Sequence, residues 1–309
     1  MINFNRLLIG FFALFIVQVN SAFAANKNVG TSGASFLRIG SGPRPTAMGE
    51  AFVAIADDIN TVHHNPAGLA LIEESQMTAM HTQWFQNLNY DFGAFAVPTG
   101  IGTFAISAAT LKASDIQKRG NDESDLGTFE NLDAAYALSY GRNIIDNLAA
   151  GVTLRYIKEE IDTESAQAMS GDLGLRYQMA SRPLSFGFAV RHFGPEIKFI
   201  DESDPQPLTF DVGAAHRFFS DKLVLATDLR KPRDNDVQYG FGAEYIQPIG
   251  KDFSTALRAG YSSETTGPDG AHGISLGAGV GIKQLELNFA WVPFGDLGNT
   301  FRYGALFRF

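Results

Sequence analysis

From Gln76 to the end of the chain, apolar and polar residues alternate with a period of two, in runs separated by turn residues. Successive side chains of a β-strand point to opposite faces, so each run predicts a strand with one apolar and one polar face. The clearest run is residues 301–309, where aromatic residues share one face and arginines share the other: Phe301, Tyr303, Phe307 and Phe309 against Arg302 and Arg308.

Fourteen such runs follow one another along the chain, and they predict fourteen strands. They lie near residues 76–86, 90–97, 103–113, 131–142, 148–158, 168–179, 184–193, 207–219, 223–230, 237–246, 253–261, 272–282, 285–292 and 300–309. A tilted transmembrane strand needs about 9–11 residues, and barrels of bacterial outer membranes usually have an even number of strands. The number and length of the runs therefore favour such a barrel.

The predicted connections between these strands alternate in length, which is typical of barrels with short periplasmic turns and longer outer loops. The short ones are 98–102, 143–147, 180–183, 220–222, 247–252 and 283–284. The longest of those between them are 114–130, 159–167, 194–206 and 262–271, and the first hairpin, 87–89, is the exception to the rule. A soluble β-sandwich gives no reason for this alternation.

The polar faces of the predicted strands carry charges of both signs. We expect them to line the lumen of the barrel: Arg155, Arg176, Arg191, Arg217, Arg230, Arg258, Arg302 and Arg308, with Asp133, Asp172, Asp211, Asp228, Glu244 and Glu286. The apolar faces have few helices to cover them, but they need no cover if they face lipid. The sequence therefore predicts an all-β fold, a transmembrane antiparallel up-and-down β-barrel of about fourteen strands over residues 76–309.

The first 75 residues do not follow the strand pattern. Residues 1–24 have the features of a secretory signal peptide, with an apolar run at 7–17 and the small-x-small sequence Ala22-Phe23-Ala24. Residues 25–75 contain Asn65-Pro66-Ala67-Gly68, a pattern that begins helices. Because a barrel of fourteen strands leaves an open bore, we predict that residues 25–75 form a small hatch, or plug, with short helices. A periplasmic tail is the alternative.

Several motifs resemble those of the PorV/PorQ family of outer-membrane proteins. They are Gly30-Thr31-Ser32, the stretches 36–40 and 47–54, Asp57-Asp58, Asn65-Pro66-Ala67-Gly68-Leu69, and the stretches 81–85, 90–92 and 292–298. The resemblance implies a FadL-like barrel of fourteen strands whose N-terminal hatch contains the Asn-Pro-Ala-Gly motif. It also implies that Phe309 is part of the signal read by the barrel-insertion machinery. Members of that family usually have aromatic residues where this chain has His63-His64.

The resemblance implies an accessory role in protein secretion and surface delivery of the type IX kind, with secretion-system proteins or secreted cargo as partners. The alternative is a FadL-like passive transporter of long-chain fatty acids or other small hydrophobic molecules, with hatch residues as ligand contacts: Phe36, Leu37, Phe52, Val53 and Ile55. A structural barrel without a transport role is a further alternative. In each case we expect the outer membrane of a Gram-negative-type bacterium, contact with lipid and lipopolysaccharide, and both termini in the periplasm.

Composition and motifs offer no candidate for an enzyme, a metal centre or a cofactor site. The chain has no cysteine, which excludes disulfides and thiolate metal sites, and its net charge of −9 argues against nucleic acid. Residues 273–277 match the G-x-S-x-G pattern of hydrolases, but they lie in a predicted strand and no histidine follows them. His63 and His64 lack a third ligand at a telling spacing, so we expect them to pack within the hatch.

Overall fold

The computed structural model of the protein describes residues 29–84, 88–265 and 273–309. Within these residues the chain forms sixteen strands: β1 Gln76–Gln83, β2 Leu88–Thr99, β3 Gly102–Arg119, β4 Asp125–Ile145, β5 Leu148–Ile161, β6 Glu164–Gln178, β7 Leu184–Phe193, β8 Ile197–Phe199, β9 Glu202–Asp204, β10 Thr209–Phe218, β11 Leu223–Pro232, β12 Gln238–Ile249, β13 Phe253–Ser262, β14 Ile274–Ile282, β15 Leu285–Pro293 and β16 Asn299–Arg308. The predicted signal peptide, residues 1–24, lies outside the described residues. In the described part of the chain, every helix is too short or too polar to cross a membrane.

Fourteen of these strands form one closed antiparallel barrel. β1 pairs with β16 to close the sheet, in a register that places Gln76 opposite Arg308 and Gln83 opposite Phe301. β7 pairs directly with β10, while β8 and β9 between them form a separate two-stranded sheet. The predicted fold class and the number of barrel strands are confirmed.

The alternation of the sequence reappears as an alternation of exposure. On β16, Phe301 and Tyr303 are 40% and 54% exposed, whereas Arg302 between them is 3% exposed. On β12, Glu244 is fully buried and Tyr245 beside it is exposed. The apolar stripes therefore face outward and the charged stripes face the lumen, as the sequence predicts.

Several strands extend further than the sequence predicts. The predicted connection 114–130 is mostly a continuation of β3 and β4, which are joined by the short turn 120–124. The predicted connection 159–167 is replaced by a turn at 162–163 between β5 and β6. Both predicted loops are wrong, because polar residues predominate on both faces of these stretches and the alternation is lost, while the hydrogen-bonded ladder continues without it.

The two ends of the barrel differ in their connections. One end carries the short connections and Phe309, and we call it the turn end. The opposite end carries the long hairpin of β3 and β4, the small sheet of β8 and β9, and a one-turn 3-10 helix at Gly295–Leu297, and we call it the loop end.

Residues 29–75, here called the N-terminal segment, lie inside the barrel. Their helices are short: 3-10 turns at Ser35–Arg38 and Pro66–Leu71, and α-helical turns at Pro43–Ala47 and Thr61–His64. The side chain of Asn65 accepts a hydrogen bond from the N–H of Ala67 at 3.1 Å, so the Asn-Pro-Ala-Gly pattern begins a helix as predicted. Almost every residue from 47 to 69 is buried.

The N-terminal segment runs from the loop end to the turn end. The N–H of Gly33 donates to the carbonyl of Pro205 at 3.0 Å, beside β9, whereas Ile72 at the other end of the segment lies just before β1. The first described residues and Phe309 therefore lie at opposite ends of the barrel. The N-terminus itself lies outside the described residues, so the periplasmic location of both termini stays a prediction.

Glycines on the inner face let the N-terminal segment approach the wall. Gly151 and Gly174 are direct cross-strand partners on β5 and β6, and a Cβ at Gly151 would lie 2.2 Å from the carbonyl carbon of Pro66. A Cβ at Gly260 on β13 would lie 2.0 Å from the backbone nitrogen of Gly49. Side chains here would overlap backbone atoms, so the position of the segment depends on glycine at these sites.

Candidate functional site in the lumen

Arg44 joins the N-terminal segment to the barrel wall. It lies in the helical turn Pro43–Ala47, and its guanidinium donates to both carboxylate oxygens of Glu244 on β12, at 2.8 and 2.6 Å. It also donates to Asp57 at 2.6 Å and to Asp58 at 2.7 Å. Hydrogen bonds between ionised groups are roughly twice as strong as neutral ones, so this buried cluster fixes the segment against β12.

The charges of this cluster stabilise one another. Burial alone would raise the pKa of Asp57, but Arg44 and Arg217 beside it hold that pKa well below its usual range. Burial would lower the pKa of Arg44, but its carboxylate neighbours raise it well above its usual value. Burial and the charge of Asp57 raise the pKa of Asp58. Arg44 therefore remains charged although it is enclosed.

The wall also binds the backbone of the N-terminal segment. Asp228 on β11 accepts hydrogen bonds from the N–H groups of Phe52 and Val53, at 2.8 and 2.9 Å. Arg176 on β6 donates to the carbonyl oxygens of Ala54 and Ile55, at 2.9 and 3.2 Å. Buried backbone groups need partners, and residues 52–55 lie in neither helix nor strand. The charged wall supplies these partners.

A cavity of about 210 Å³ lies at the loop end between the segment and the wall, and we call it the outer chamber. Its apolar side includes Trp84 and Phe294, whose ring centroids are 5.1 Å apart. Its polar side includes Glu50 and Arg302, and the guanidinium carbon of Arg302 lies 5.3 Å from the Trp84 ring centroid. Arg302 also donates to the carbonyl of Gly40 at 2.5 Å. The outer chamber is thus amphipathic.

Three buried histidines lie beneath the outer chamber. The ring centroids of His63 and His64 are 5.0 Å apart, and those of His63 and His192 are 6.5 Å apart. His192 comes from the wall, where its φ of 58° and a shift in the register of β6 and β7 form a β-bulge. The bulge brings two successive residues, Arg191 and His192, to the inside, where a regular strand would bring one.

The hydrogen bonding of the three rings differs. Ser41 Oγ lies 3.3 Å from His63 Nδ1, and the carbonyl oxygen of Ser41 lies 3.1 Å from His64 Nε2. Both ring nitrogens of His192 are buried without a hydrogen-bond partner among the described residues. Burial and nearby cations hold the pKa of His63 well below its usual value, and burial lowers the pKa of His64 to about 4 although Glu50 opposes the shift. The two rings of the segment are therefore neutral at pH 7.

A void of about 20 Å³, here called the inner void, lies on the other side of the histidines. Its walls are apolar side chains such as Val62 and Phe92, together with Arg155 and His192. His63 lines the inner void and also a gap of about 10 Å³, and that gap shares Glu50 with the outer chamber. The histidines therefore separate the outer chamber from the inner void.

The outside of the barrel carries an open groove of about 690 Å³ across β1–β6, here called the outer groove. Its lining combines small residues such as Gly93 and Ala108 with larger apolar side chains such as Tyr136. Ser107 and Ala137 are direct partners across β3 and β4, and both line the outer groove as well as the inner void. At this pair, a single layer of strand separates the inner void from the outer groove.

The five hydrophobic residues expected to contact a ligand lie in two clusters rather than one. Phe36 and Leu37 pack against Ile157 and Ile197 near the loop end. The others lie elsewhere on the segment and are fully buried: Phe52, Val53 and Ile55. Leu37 is the one of the five that lines a cavity described above, the inner void. The remaining four pack the segment against the wall.

The charged residues expected to line the lumen face its interior, where they contact the N-terminal segment rather than an open bore. Arg155 makes two hydrogen bonds to Asp172, at 3.1 and 2.6 Å, and Arg191 makes two to Asp211, at 2.8 and 3.1 Å. The others bind the Arg44 cluster, the segment or a neighbouring strand: Arg176, Arg217, Arg258, Arg302 and Glu244. Asp133 faces Glu159 across β4 and β5.

The site residues missing from the sequence-based prediction include Arg44, Glu50, Trp84 and His192. Glu50 and Trp84 lie within the stretches that carry the family resemblance, so the resemblance could have indicated them. His192 gives no such signal, because strict alternation would place it on the outer face and only the bulge turns it inward. Among the described residues, no three His, Cys, Asp or Glu side chains are grouped so that they could hold a metal ion.

The profile of an uncharacterised protein family, UPF0164, matches residues 16–284. The chain belongs to the UPF0164 family. A search of curated protein sequences found no match.

Several solved structures have the same fold as this UPF0164 chain. The toluene transporter TodX of Pseudomonas putida has a TM-score of 0.62 and 10% identity, over 87% of this chain and 98% of its own. The CymD monoaromatic hydrocarbon channel has a TM-score of 0.61 and 11% identity, over 88% and 98%. A FadL homologue of Pseudomonas aeruginosa has a TM-score of 0.52 and 13% identity, over 86% and 96%. At these identities the likeness establishes the fold alone, a FadL-like barrel, and it does not single out the PorV/PorQ family.

Proposed function

We propose that this UPF0164 chain is an outer-membrane channel through which small hydrophobic molecules pass from the cell surface into the bilayer. In this proposal the outward apolar face contacts lipid, residues 25–75 are a hatch, and residues 1–24 are a signal peptide. The solved structures with a similar fold are transport channels, and two of them are named for toluene or monoaromatic hydrocarbons. We propose neither catalytic activity nor a cofactor.

The observation that carries the proposal is a series of cavities whose linings overlap. The outer chamber at the loop end shares Glu50 with the narrow gap, the gap shares His63 with the inner void, and the inner void shares Ser107 and Ala137 with the outer groove. This series runs from the loop end, past the N-terminal segment, to the outer face of the barrel. It ends where a molecule would meet acyl chains.

Passage through the wall requires movement, because the ladder between β3 and β4 is continuous at Ser107 and Ala137. The side chains at this pair are small, so local separation of the two strands would open a route without displacing a bulky residue. A route through the wall suits hydrophobic molecules, since it delivers them to the bilayer and not to water.

A reversible cross-link tests this route. The chain has no cysteine, so the double variant Ser107→Cys/Ala137→Cys places a single disulfide between β3 and β4. We expect cells that carry the oxidised variant in their outer membrane to take up labelled toluene at the rate of cells without the protein. Reduction of the disulfide should restore uptake.

The matched control is Leu257→Cys/Ala278→Cys, a pair that faces outward across β13 and β14, away from the cavities. We expect its uptake to be the same before and after reduction. If the oxidised Ser107→Cys/Ala137→Cys variant supports toluene uptake at the rate of the unmodified protein, the proposed exit between β3 and β4 is wrong. An unmodified protein that adds nothing to the uptake of its host would contradict the channel function itself.

The remaining expectations from the sequence are proposals of the same kind. We propose that the barrel contacts lipid and lipopolysaccharide, and that Phe309 is read by the barrel-insertion machinery. Phe309 lies at the exposed end of β16, where its ring stacks 5.9 Å from that of Phe95. A secretion role like that of PorV/PorQ remains a prediction, and co-purification of secretion components or secreted cargo from outer membranes would support it.

A further inference from the structure

The imidazole of His192 is a polar group on the proposed route that has no partner of its own. The residue is 1% exposed, and both ring nitrogens lack a hydrogen bond among the described residues. Its backbone N–H donates to Asp172 at 2.8 Å, so the bulge is held in place while the ring is left free to bind. An unpaired buried polar group costs about 1–3 kcal/mol, and folded proteins keep few of them.

The inner void beside His192 has room for a head group and little more. A space of about 10–15 Å³ holds one water molecule, so the 20 Å³ of the inner void fits a group of hydroxyl size. Leu37, Val62 and Phe92 line the same void and offer apolar contacts to the rest of a molecule when movement of the wall widens the void. The void therefore places the unpaired ring of His192 among apolar side chains. The other polar side chains of its lining are His63, Tyr90, Ser107 and Arg155, and His63, Tyr90 and Arg155 already have hydrogen-bond partners.

The cations nearest to His192 are already neutralised. Arg155 is paired with Asp172 and Arg191 with Asp211, each through two hydrogen bonds, and both arginines are 5% exposed. An anionic head group would lose its hydration without gaining a cation that is free to pair with it. The site therefore favours an uncharged head group.

We propose that His192 and the inner void select uncharged molecules that have an apolar body and one hydroxyl group, such as phenols. A neutral imidazole has one nitrogen that donates and one that accepts, so it matches a hydroxyl group, which does both. A hydrocarbon leaves the ring unpaired, and a carboxylate meets no free cation. This inference rests on the proposed channel function and names the class of molecule that the channel prefers.

Three compounds that share a methyl-substituted ring test the selection. Toluene has no polar head, p-cresol has a hydroxyl group, and p-toluate has a carboxylate. We expect the purified full-length protein in detergent to bind p-cresol about tenfold more tightly than toluene. The net contribution of one hydrogen bond to a buried partner corresponds to about a tenfold difference in affinity. We expect no saturable binding of p-toluate.

Two substitutions distinguish the effect of the hydrogen bond on binding from the effect of the ring's shape. His192→Phe keeps a ring and removes both nitrogens, and we expect it to bind p-cresol and toluene equally. His192→Asn keeps a hydrogen-bonding group that tolerates a positive φ, and we expect it to retain at least a threefold preference for p-cresol. The control is His216→Phe, on β10 away from the cavities, which should keep the full preference.

The imidazole itself provides a measurement that needs no variant. In the unmodified protein, p-cresol should shift the ring nitrogen resonances of His192, and toluene should not. Equal binding of toluene and p-cresol, binding of p-toluate as tight as that of p-cresol, or an undiminished preference in His192→Phe would each overturn the inference. If only this inference is wrong, cells that carry the protein should still take up toluene. If the protein adds nothing to toluene uptake, the proposed channel function is wrong instead.

Discussion

Arg44 and Glu244 are 200 residues apart in the sequence, and the guanidinium of one donates to both carboxylate oxygens of the other, at 2.8 and 2.6 Å. Arg258 on β13 donates to the same carboxylate at 2.7 Å. Arg44 belongs to the N-terminal segment and Glu244 to the wall, so this buried pair connects the two parts of the chain. Its removal should therefore loosen the segment without altering the barrel ladder.

We expect Glu244→Gln to lower the free energy of unfolding by about 3 kcal/mol, because it leaves Arg44 and Arg258 buried beside a neutral amide. The measurement is urea unfolding of the purified protein. The control is Glu160→Gln, which breaks a half-exposed pair with Lys158 on β5. It should lower the free energy of unfolding by only about 0–1 kcal/mol. Equal losses in the two variants would show that the Arg44 cluster does not hold the segment.

Acid should weaken the packing around His64. Its pKa is lowered to about 4 in the folded protein, so the unfolded chain binds more protons between about pH 6.5 and pH 4. The free energy of unfolding should therefore be fully retained above pH 6.5 and fall as the pH drops toward 4, by up to about 3 kcal/mol from this group. Glu50, Arg191 and Arg230 face the ring, and Glu50 opposes the shift without abolishing it.

The urea midpoint, measured across this range of pH, checks the prediction. In His64→Phe the ring cannot take up a proton, so we expect the dependence on pH between 6.5 and 4 to become shallower than in the unmodified protein. If the urea midpoint of His64→Phe depends on pH as steeply as that of the unmodified protein, groups other than His64 cause the acid sensitivity.

The barrel could be predicted from the sequence because its two faces meet different surroundings. Where a strand has apolar side chains outside and charged side chains inside, as at 301–309, alternation predicts both the strand and the face that points inward. Beyond Ala113 on β3 and before Asn131 on β4, polar residues predominate on both faces, so the same ladder continues without the alternation that would predict it. The extensions of β3 and β4 were therefore not predicted, because they have no continuous apolar face.

The candidate site was harder to predict because its geometry depends on departures from regular structure. The bulge at His192 brings an additional residue inward, and a single positive φ leaves no mark on the pattern of residue types. The charges of the wall could be predicted to face the lumen, but their partners could not. Arg44, Asp57 and Asp58 lie in a segment with little regular structure, whose path through the barrel sequence alone does not define.

Glycine at position 151 should be needed for the N-terminal segment to reach its position. In Gly151→Ala the new Cβ would lie 2.2 Å from the carbonyl carbon of Pro66, and backbone at that distance must move. We expect the free energy of unfolding to fall by about 1–3 kcal/mol, and proteolysis within residues 29–75 of the folded protein to become faster. Gly93→Ala on β2 is the control, since its Cβ would meet only the carbonyl oxygen of Thr78 at 3.7 Å. Similar proteolysis of both variants would contradict the prediction.

Ile197 on β8 should hold the loop end of the N-terminal segment in place. It is 1% exposed and packs with Phe36 and Leu37, while the nearby hydrogen bond from Gly33 to Pro205 ties the segment to the same connection. Truncation of a buried isoleucine costs about 2–5 kcal/mol, and here the loss falls on the contact between the 3-10 turn Ser35–Arg38 and β8.

We therefore expect Ile197→Ala to speed amide hydrogen exchange in residues 33–38 by at least tenfold, while exchange in β10–β16 stays unchanged. Lys198→Ala, at the exposed neighbouring position of the same strand, should leave both regions as they are. Because β8 and β9 make no ladder with the barrel, the effect should remain local. If amide exchange at 33–38 is as slow in Ile197→Ala as in the unmodified protein, the barrel wall alone holds this end of the segment, through contacts such as Ile157.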